Sequence, residues 1–224
     1  MTRGIFVTGT DTGVGKTVAA CALIHALRAK GVAAHPFKPI AAGAVEREGN
    51  WINEDTHALI GAAQLDRSVA GLVTPVLLRE PMAPHIAAGR EGKTLTLDPV
   101  RAAFDRINGF FVVAEGVGGF RVPLSDSLDT VDLCRALGLP VVLVVGMRLG
   151  CLNHALLTAD AIAASGMPFV GWIANSVGRE MLAADENVST LESRLDAPLL
   201  GRLPYRDRPD PGELASFLDV STLL

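Results

Sequence analysis

The N-terminal part of the chain contains an apolar stretch, a glycine-rich loop and a helical pattern in direct succession. The apolar stretch is residues 4–8, the loop reads GTDTGVGKT at residues 9–17, and the helical pattern covers residues 18–30. A buried strand that ends in a glycine-rich turn and continues into a helix directs backbone N–H groups and the positive end of the helix dipole at one point. A phosphate group can bind there, so this order predicts a strand, a phosphate-binding loop and a helix.

The loop differs in spacing from the most common phosphate-binding loop. In the pattern G-x-x-x-x-G-K-[ST] the first glycine would fall on Thr10, whereas the chain has its glycine at Gly9, so the loop is one residue longer. In such loops the lysine reaches the β- and γ-phosphates and the hydroxyl that follows it ligates Mg²⁺. These are the roles that we predict for Lys16 and Thr17.

The composition favours one globular domain that binds small molecules. The 224 residues are 49% hydrophobic and 20% charged, which fits a single domain over residues 1–224. The formal net charge of -4 gives no overall attraction for nucleic acid or for an anionic membrane. No apolar run approaches the ~18 residues of a membrane span, the N-terminus lacks the features of a secretory signal, and the 3 cysteines lack a C-x-x-C pattern. We therefore expect a cytoplasmic protein without a nucleic-acid or membrane partner.

Short apolar runs alternate with helical stretches along the chain. This alternation predicts an α/β fold with a mostly parallel sheet and helices on both faces, as in the P-loop NTPase fold. Strands are predicted at residues 5–8, 34–40, 110–115, 141–145, 169–175 and 199–203, with a further candidate at 72–76. Helices are predicted at residues 16–30, 99–107, 130–137, 152–164 and 182–195. Functional side chains should lie at the carboxyl ends of the strands, where open α/β sheets form their crevice.

Three charged residues stand at the ends of predicted elements. Glu115 follows an apolar strand and precedes glycines, which favours a carboxylate that holds Mg²⁺ over a solvated acid. Lys38 lies within an apolar strand, and an unpaired buried charge is costly, so it must pair with a structural carboxylate or with an anionic ligand. Asp55 opens a predicted helix, and this position by itself favours a helix cap over a metal ligand.

Two further places in the sequence could bind polar groups. The segment MRLGCLNH at residues 147–154 follows a buried strand and opens a helix, so it predicts a second anion-binding helix start, suited to a substrate carboxylate. Asn175 ends another strand, where its amide can read a donor and an acceptor on a nucleobase edge. A loop-capping role for Asn175 is almost as well supported.

Eight segments of the chain form a distinctive set when they are taken together and in order. They read GTDTGVGKT, FKPI, NEDTHAL, EPMAPHIAA, VVAEGVGGFRVPLSD, VVGMRLGCLNHALLTA, GWIANSV and APLLGRLPY. With these segments the chain resembles the dethiobiotin synthetase family from end to end. The resemblance implies a ligase that uses ATP and Mg²⁺ to close 7,8-diaminopelargonate and CO₂ into dethiobiotin, in biotin biosynthesis. It also implies a carbamate, then a carbamic-phosphoric anhydride, and release of ADP and phosphate.

The resemblance implies a role for each matching residue. Lys16 and Lys38 would be catalytic, and Thr17, Asp55 and Glu115 would hold Mg²⁺. The nucleotide would be bound by Gly13, Val14, Gly15, Lys16, Thr17, Val18, Glu115, Gly116, Gly118, Asn175, Ser176, Pro204, Tyr205 and Arg206. The substrate would be bound by Thr12, Lys38, Ala42, Gly150, Cys151, Leu152 and Asn153, the last four from the opposite subunit of a homodimer.

The chain departs from the family pattern at two of these positions, and one other function class shares the long loop. Family members often carry serine in place of Ala42, and some carry an acid in place of Gly13. The alternative is a nucleotide-switch ATPase of the ParA/MinD kind. Such proteins carry a signature lysine where this chain has Asp11, and they need a basic surface or tail, whereas residues 211–219 here are acidic. Asp11 and the acidic segment 211–219 both differ from the switch ATPases, and both therefore favour the ligase.

Overall fold

The computed structural model of the chain describes residues 3–47, 49–107 and 109–224. Its strands are β1 (Arg3–Gly9), β2 (Ala34–Phe37), β3 (Ile40–Ala42), β4 (Val45–Arg47), β5 (Asn50–Ile52), β6 (Val76–Leu78), β7 (Phe111–Glu115), β8 (Val141–Met147), β9 (Phe169–Ser176) and β10 (Leu199–Leu203). Its helices are α1 (Lys16–Ala29), α2 (Glu54–Ala62), α3 (Ala70–Val73), α4 (Pro84–Arg90), α5 (Asp98–Phe104), α6 (Thr130–Leu137), α7 (Cys151–Ser165), α8 (Ala184–Glu192) and α9 (Pro211–Leu214). Short 3₁₀ turns cover Arg67–Val69, Ala215–Phe217 and Ser221–Leu223.

A 6-stranded parallel sheet in the order β10-β9-β8-β1-β7-β2 forms the centre of the fold. Side chains alternate between the two faces of each strand, so Phe6 packs in one buried apolar cluster and its neighbours Ile5 and Val7 pack in the other. Helices α4 to α8 contribute to the Phe6 cluster, whereas α1, α2 and α9 contribute to the Ile5 cluster. The predicted fold class, a mostly parallel sheet with helices on both faces, is confirmed.

The predicted strand at residues 34–40 is wrong as one element. β2 ends at Phe37 in the main sheet, and β3 begins at Ile40 and pairs with β6 in a separate 2-stranded sheet. Pro39 has no N–H to donate to a ladder, and the N–H of Lys38 donates to the carbonyl of Val73 at 2.8 Å. The chain therefore leaves the sheet at Lys38, and the side chain of Lys38 stands at the tip of β2.

Several other predicted boundaries differ from the structure. The candidate strand near 72–76 exists but lies further along the chain, because α3 ends at Val73 and β6 covers Val76–Leu78. The helices predicted at 99–107 and 182–195 are shorter, covering Asp98–Phe104 and Ala184–Glu192. The antiparallel β4–β5 pair, in which Val45 lies opposite Ile52, was not predicted. Among the helices of residues 3–47, 49–107 and 109–224, none combines the length and the apolar character needed to cross a membrane.

Candidate active site

The carboxyl ends of β1, β7 and β2 lie side by side and carry the charged residues that the sequence singled out. Val7 of β1 lies opposite Glu115 of β7, and Phe37 of β2 lies opposite Ala114, which brings Lys38 next to Glu115. The phosphate-binding loop continues from the end of β1 into α1, which begins at Lys16. The parallel sheet therefore gathers residues that are distant in sequence at one edge.

The loop itself depends on two glycines with left-handed backbone. Gly13 has φ 75° and Gly15, the residue that precedes α1, has φ 87°, a conformation that other residues adopt only at a cost. Asn175 lies beneath the loop and donates from its Nδ2 to the carbonyl of Val14 at 2.8 Å. A Cβ on Gly15 would lie 2.1 Å from that Nδ2. The loop and the end of β9 thus pack so closely that there is no room for a side chain at Gly15.

Four side chains meet at the start of α1. The hydroxyl of Thr17 lies 2.9 Å from Asp55 Oδ1 and 2.9 Å from Glu115 Oε1. The ammonium of Lys38 lies 2.6 Å from Glu115 Oε1 and 3.3 Å from Asp55 Oδ2, and it also donates to the carbonyl of Gly116 at 3.2 Å. A hydroxyl has one hydrogen and can donate to one carboxylate at a time. The Thr17 oxygen and the two carboxylates therefore form a cluster of oxygen atoms at the start of α1.

The two lysines of the site differ in their surroundings. Burial alone would lower the pKa of Lys38, but the carboxylates of Glu115 and Asp55 outweigh it, so the pKa of Lys38 is raised and the group stays charged. Burial lowers the pKa of Lys16 to about 8, although Glu115 acts in the opposite direction. The Nζ of Lys16 donates to a neutral group, the carbonyl of Asp11, at 2.8 Å. An anionic ligand such as a phosphate would stabilise the charged form of Lys16.

The oxygen donors of the cluster fit Mg²⁺. Glu115 Oε2 is buried and has no hydrogen-bond partner among the described residues, so one acceptor is available for a cation. In the described part of the chain, no group of three or more histidine, cysteine or acidic side chains could enclose a metal ion. Mg²⁺ does not need one, because it is commonly bound by one or two carboxylates together with substrate phosphates and water. The predicted set of Thr17, Asp55 and Glu115 is therefore chemically suitable.

The residues predicted to hold the nucleoside lie around two separate depressions. Ser176, Pro204, Tyr205 and Arg206 line a polar depression of about 600 Å³, in which the Tyr205 hydroxyl donates to Asp207 at 3.1 Å. Val18 lies instead in an apolar groove of about 440 Å³ that begins at Thr17 and runs between α1, α2 and residues 209–211. The amide of Asn175 is already bonded to the loop, as the capping alternative for this residue expects.

The residues predicted to hold the substrate surround the same edge of the sheet. A Cβ on Gly118, which has φ 63°, would lie 3.7 Å from Thr12 Oγ1, and the carbonyl of Ala42 accepts from Asn53 Nδ2 at 3.4 Å. Gly150, with φ 93°, precedes α7, whose first three residues are Cys151, Leu152 and Asn153.

An ion pair that was not predicted joins this helix start to the phosphate-binding loop. The guanidinium of Arg148 lies 2.6 Å from Asp11 Oδ2, while Asp11 Oδ1 accepts from the N–H of Thr12 at 2.7 Å. Both residues belong to segments that the sequence analysis had identified, but they are 137 residues apart in the chain. Only the neighbouring positions of β1 and β8 in the sheet could have indicated it.

Comparison with known proteins identifies the family of the chain. It is 52% identical over 218 residues to the ATP-dependent dethiobiotin synthetase BioD of Aromatoleum aromaticum, a match that covers 96% of each protein. The chain belongs to the dethiobiotin synthetase family. A family model described as an AAA domain also matches residues 3–211. Membership of the dethiobiotin synthetase family confirms the resemblance seen in the sequence and the expectation of a ligase.

Solved structures support the fold alone. The signal recognition particle receptor FtsY of Elizabethkingia anophelis in complex with GDP has a TM-score of 0.50 at 15% identity, covering 97% of this chain and 64% of that one. FtsY of Mycoplasma mycoides has a TM-score of 0.51 at 13% identity, covering 100% of this chain and 65% of that one. The chain thus spans less than two thirds of either protein, and the likeness is one of fold.

Proposed function

We propose that the chain is an ATP-dependent dethiobiotin synthetase, which converts 7,8-diaminopelargonate and CO₂ into dethiobiotin. The observation that carries this proposal is the cluster of Thr17, Lys38, Asp55 and Glu115, which stands directly beside the phosphate-binding loop. It combines oxygen donors for Mg²⁺ with a lysine whose pKa the carboxylates of Glu115 and Asp55 raise. The 52% identity to a dethiobiotin synthetase supports the choice of substrate.

The reaction needs no nucleophile from the protein. One amine of the substrate takes up CO₂ as a carbamate, and a carbamate oxygen attacks the γ-phosphorus of ATP, which releases ADP. The second amine then attacks the carbon of the carbamic-phosphoric anhydride, closes the ring and releases phosphate. The task of the protein is to position these groups and to stabilise the developing charge.

Lys38 and Lys16 are the two cations that we assign to this task. Lys38 is 4% exposed and is fixed by two carboxylates, so it can present a charge to the carbamate with little reorganisation. Lys16 follows the loop, where its Nζ can exchange the Asp11 carbonyl for phosphate oxygens. Thr17, Asp55 and Glu115 would hold Mg²⁺, which would neutralise charge on the phosphates.

The nucleotide and the substrate are assigned by the same reasoning. We propose that ATP binds along Gly13 to Val18 and that its base lies near Asn175, Ser176 and the depression lined by Pro204, Tyr205 and Arg206. We assign the substrate amines to the region of Thr12, Lys38 and Ala42.

We further propose a homodimer in which the start of α7 binds the substrate carboxylate of the partner subunit. The support for this is two exposed leucines: Leu149, which precedes α7, is 99% exposed, and Leu157, which lies in α7, is 60% exposed. Large exposed apolar side chains next to a predicted binding segment are typical of an interface. A single domain over residues 1–224 and a cytoplasmic location stay predictions.

The proposal is tested by incorporation of labelled bicarbonate. Purified protein is incubated with 7,8-diaminopelargonate, ATP, Mg²⁺ and ¹⁴C-bicarbonate, and acid-stable label is counted with and without each component. We expect label in product only when all are present, at one phosphate released per label incorporated. Phosphate release without acid-stable label would refute the ligase, and phosphate release that does not need the diamine would favour the nucleotide switch.

A further inference from the structure

Asp55 is the only residue that α2 contributes to the cluster of Thr17, Lys38, Asp55 and Glu115. It is the second residue of α2, and its side chain is 44% exposed, in contrast to Glu115 at 1%. Glu115 lies in β7 of the main sheet, Thr17 in α1 and Lys38 directly after β2, whereas the position of Asp55 depends on where α2 begins. Whatever holds the first turn of α2 in place therefore sets the position of the Asp55 carboxylate.

Asn53 holds that turn through a buried hydrogen-bond network. As the N-cap of α2 it accepts at Oδ1 from the Thr56 N–H at 3.1 Å, and from the Thr56 hydroxyl at 3.3 Å. The Thr56 hydroxyl lies 2.7 Å from the hydroxyl of Thr74, and Asn53, Thr56 and Thr74 are all buried. One direction of donation satisfies every oxygen: Thr74 donates to Thr56, and Thr56 donates to Asn53.

The network ends on the elements that carry the substrate side of the site. Asn53 Nδ2 donates to the carbonyl of Ala42, in β3, at 3.4 Å. At the other end Thr74 follows Val73, whose carbonyl accepts from the N–H of Lys38 at 2.8 Å. The first turn of α2 is thereby connected directly to the Ala42 carbonyl of β3 and, through Thr74 and Val73, to the backbone N–H of Lys38.

A helix cap alone does not require this arrangement. Capping needs a side-chain oxygen that accepts from one N–H of the first turn, and serine, threonine or aspartate would supply it. The amide of Asn53 does more, because its nitrogen bonds a second element and its oxygen also receives a buried hydroxyl. Loss of a group that hydrogen-bonds a metal ligand directly typically reduces metal affinity by about 10–100-fold. Asn53 acts one step further away, through the first turn of α2, so its loss should fall at the lower end of this range.

We propose that Asn53 is a positioning residue that sets the Asp55 carboxylate in register with Thr17 and Glu115 for binding of the divalent cation. This rests on the proposed function, in which Asp55 is a ligand of Mg²⁺. Asn53 does not contact the cation or the substrate. It acts through the N-terminal turn of α2 and through β3.

The test measures divalent-cation binding directly, with Mn²⁺ in the presence of a non-hydrolysable ATP analogue, by the loss of the free Mn²⁺ signal in electron paramagnetic resonance. Asn53→Gly removes the side chain, and because glycine is an accepted N-cap the helix persists. Asn53→Asp restores an oxygen at the cap. Asp129→Gly is the matched control: Asp129 caps α6 through the N–H groups of Val131 and Asp132, away from the cluster. Asp55→Asn removes the ligand itself.

We expect Asn53→Gly to weaken Mn²⁺ binding about 10-fold and to raise by a similar factor the Mg²⁺ concentration for half-maximal phosphate release. Asn53→Asp keeps the cap oxygen but loses the Nδ2 donor to the Ala42 carbonyl, so it should recover only part of the loss, and Asp129→Gly leaves both values unchanged. If Asp55→Asn weakens Mn²⁺ binding but Asn53→Gly does not, or if both glycine variants weaken it equally, the positioning role is refuted. If Asp55→Asn has no effect, the proposed metal site itself is wrong, and the positioning role falls with it.

Discussion

Replacing Lys38 by methionine should destabilise the protein much more than loss of an ordinary ion pair. Methionine keeps the length of the side chain and removes its charge, so the change leaves the Glu115 carboxylate buried without its cation. Lys38 Nζ lies 2.6 Å from Glu115 Oε1, and the two side chains are 4% and 1% exposed. Neither group can recover its hydration while the fold is intact, which is the condition under which a charge pair matters for stability.

The size of the effect follows from these distances. At an effective dielectric constant of about 20, two unit charges at 2.6 Å attract by about 6 kcal/mol, and the Asp55 contact at 3.3 Å contributes less because that side chain is 44% exposed. Burying the ammonium itself costs several kcal/mol, and the substitution removes that cost. The net loss should therefore fall near about 3–5 kcal/mol, the range for removing one partner of a buried pair.

Urea denaturation of Lys38→Met, Glu115→Gln and the double variant measures this effect. The double variant should lose about 1–3 kcal/mol less than the two single variants combined, because neither charge is then left alone. The control is Arg90→Met, since Arg90 Nη1 also lies 2.6 Å from a carboxylate, that of Glu80, but the side chains are 60% and 44% exposed. Its loss should stay under about 1 kcal/mol. Equal losses for Lys38→Met and Arg90→Met would refute the argument from burial.

Further predictions concern the loop, a buried histidine and the thiols. Gly15→Ala should weaken binding of ADP more than Gly13→Ala does. A Cβ on Gly15 would lie 2.1 Å from Asn175 Nδ2, which must then move from its bond to the Val14 carbonyl. A Cβ on Gly13 meets nothing within 4 Å and costs only the ~1–2 kcal/mol of left-handed backbone, so equal losses of ADP affinity by calorimetry would contradict this. Burial lowers the pKa of His35, so its contribution to the free energy of unfolding is present above about pH 6.5 and is lost as the pH falls through that lowered pKa. Urea titrations between about pH 7 and pH 5 should then show a smaller loss of stability for His35→Phe than for wild type. All three cysteines are buried, so a thiol reagent should react with none of them until the protein is denatured.

The sequence predicts the parts of the site whose signals are local. The strand, loop and helix around Lys16 are adjacent in the chain, and Glu115 follows an apolar run directly, so each could be assigned from its neighbours. The parallel sheet then places these strand ends side by side without further information. The family resemblance added what local patterns did not, in particular the prediction that Asp55 is a ligand of Mg²⁺.

Long-range contacts account for what the sequence did not predict. Local reasoning assigned Asp55 to a helix cap, but Asn53 is the cap, and Asp55 is in the first turn facing Thr17. The pairing of Asp11 with Arg148 and the departure of Lys38 from the sheet depend equally on packing between distant segments. A sequence pattern shows which residues are polar, but the partner of each polar group depends on how the helices and strands pack.

The charges of the site argue that cation and nucleotide bind together. Lys16 and Lys38 carry two positive charges, and Asp55 and Glu115 carry two negative ones, so the site as a whole attracts neither a free cation nor a free anion strongly. The charges nevertheless lie at different places in the site. The ammonium of Lys16 lies at the loop, beside the carbonyl of Asp11, whereas the carboxylates of Asp55 and Glu115 lie beside the Thr17 hydroxyl. A ligand with its negative charge at the loop and its positive charge beside Thr17 is attracted at both places. A phosphate chain that carries its own Mg²⁺ has this distribution of charge, and we therefore expect Mg²⁺ to raise the affinity for ADP in wild type and to lose that effect in Asp55→Asn.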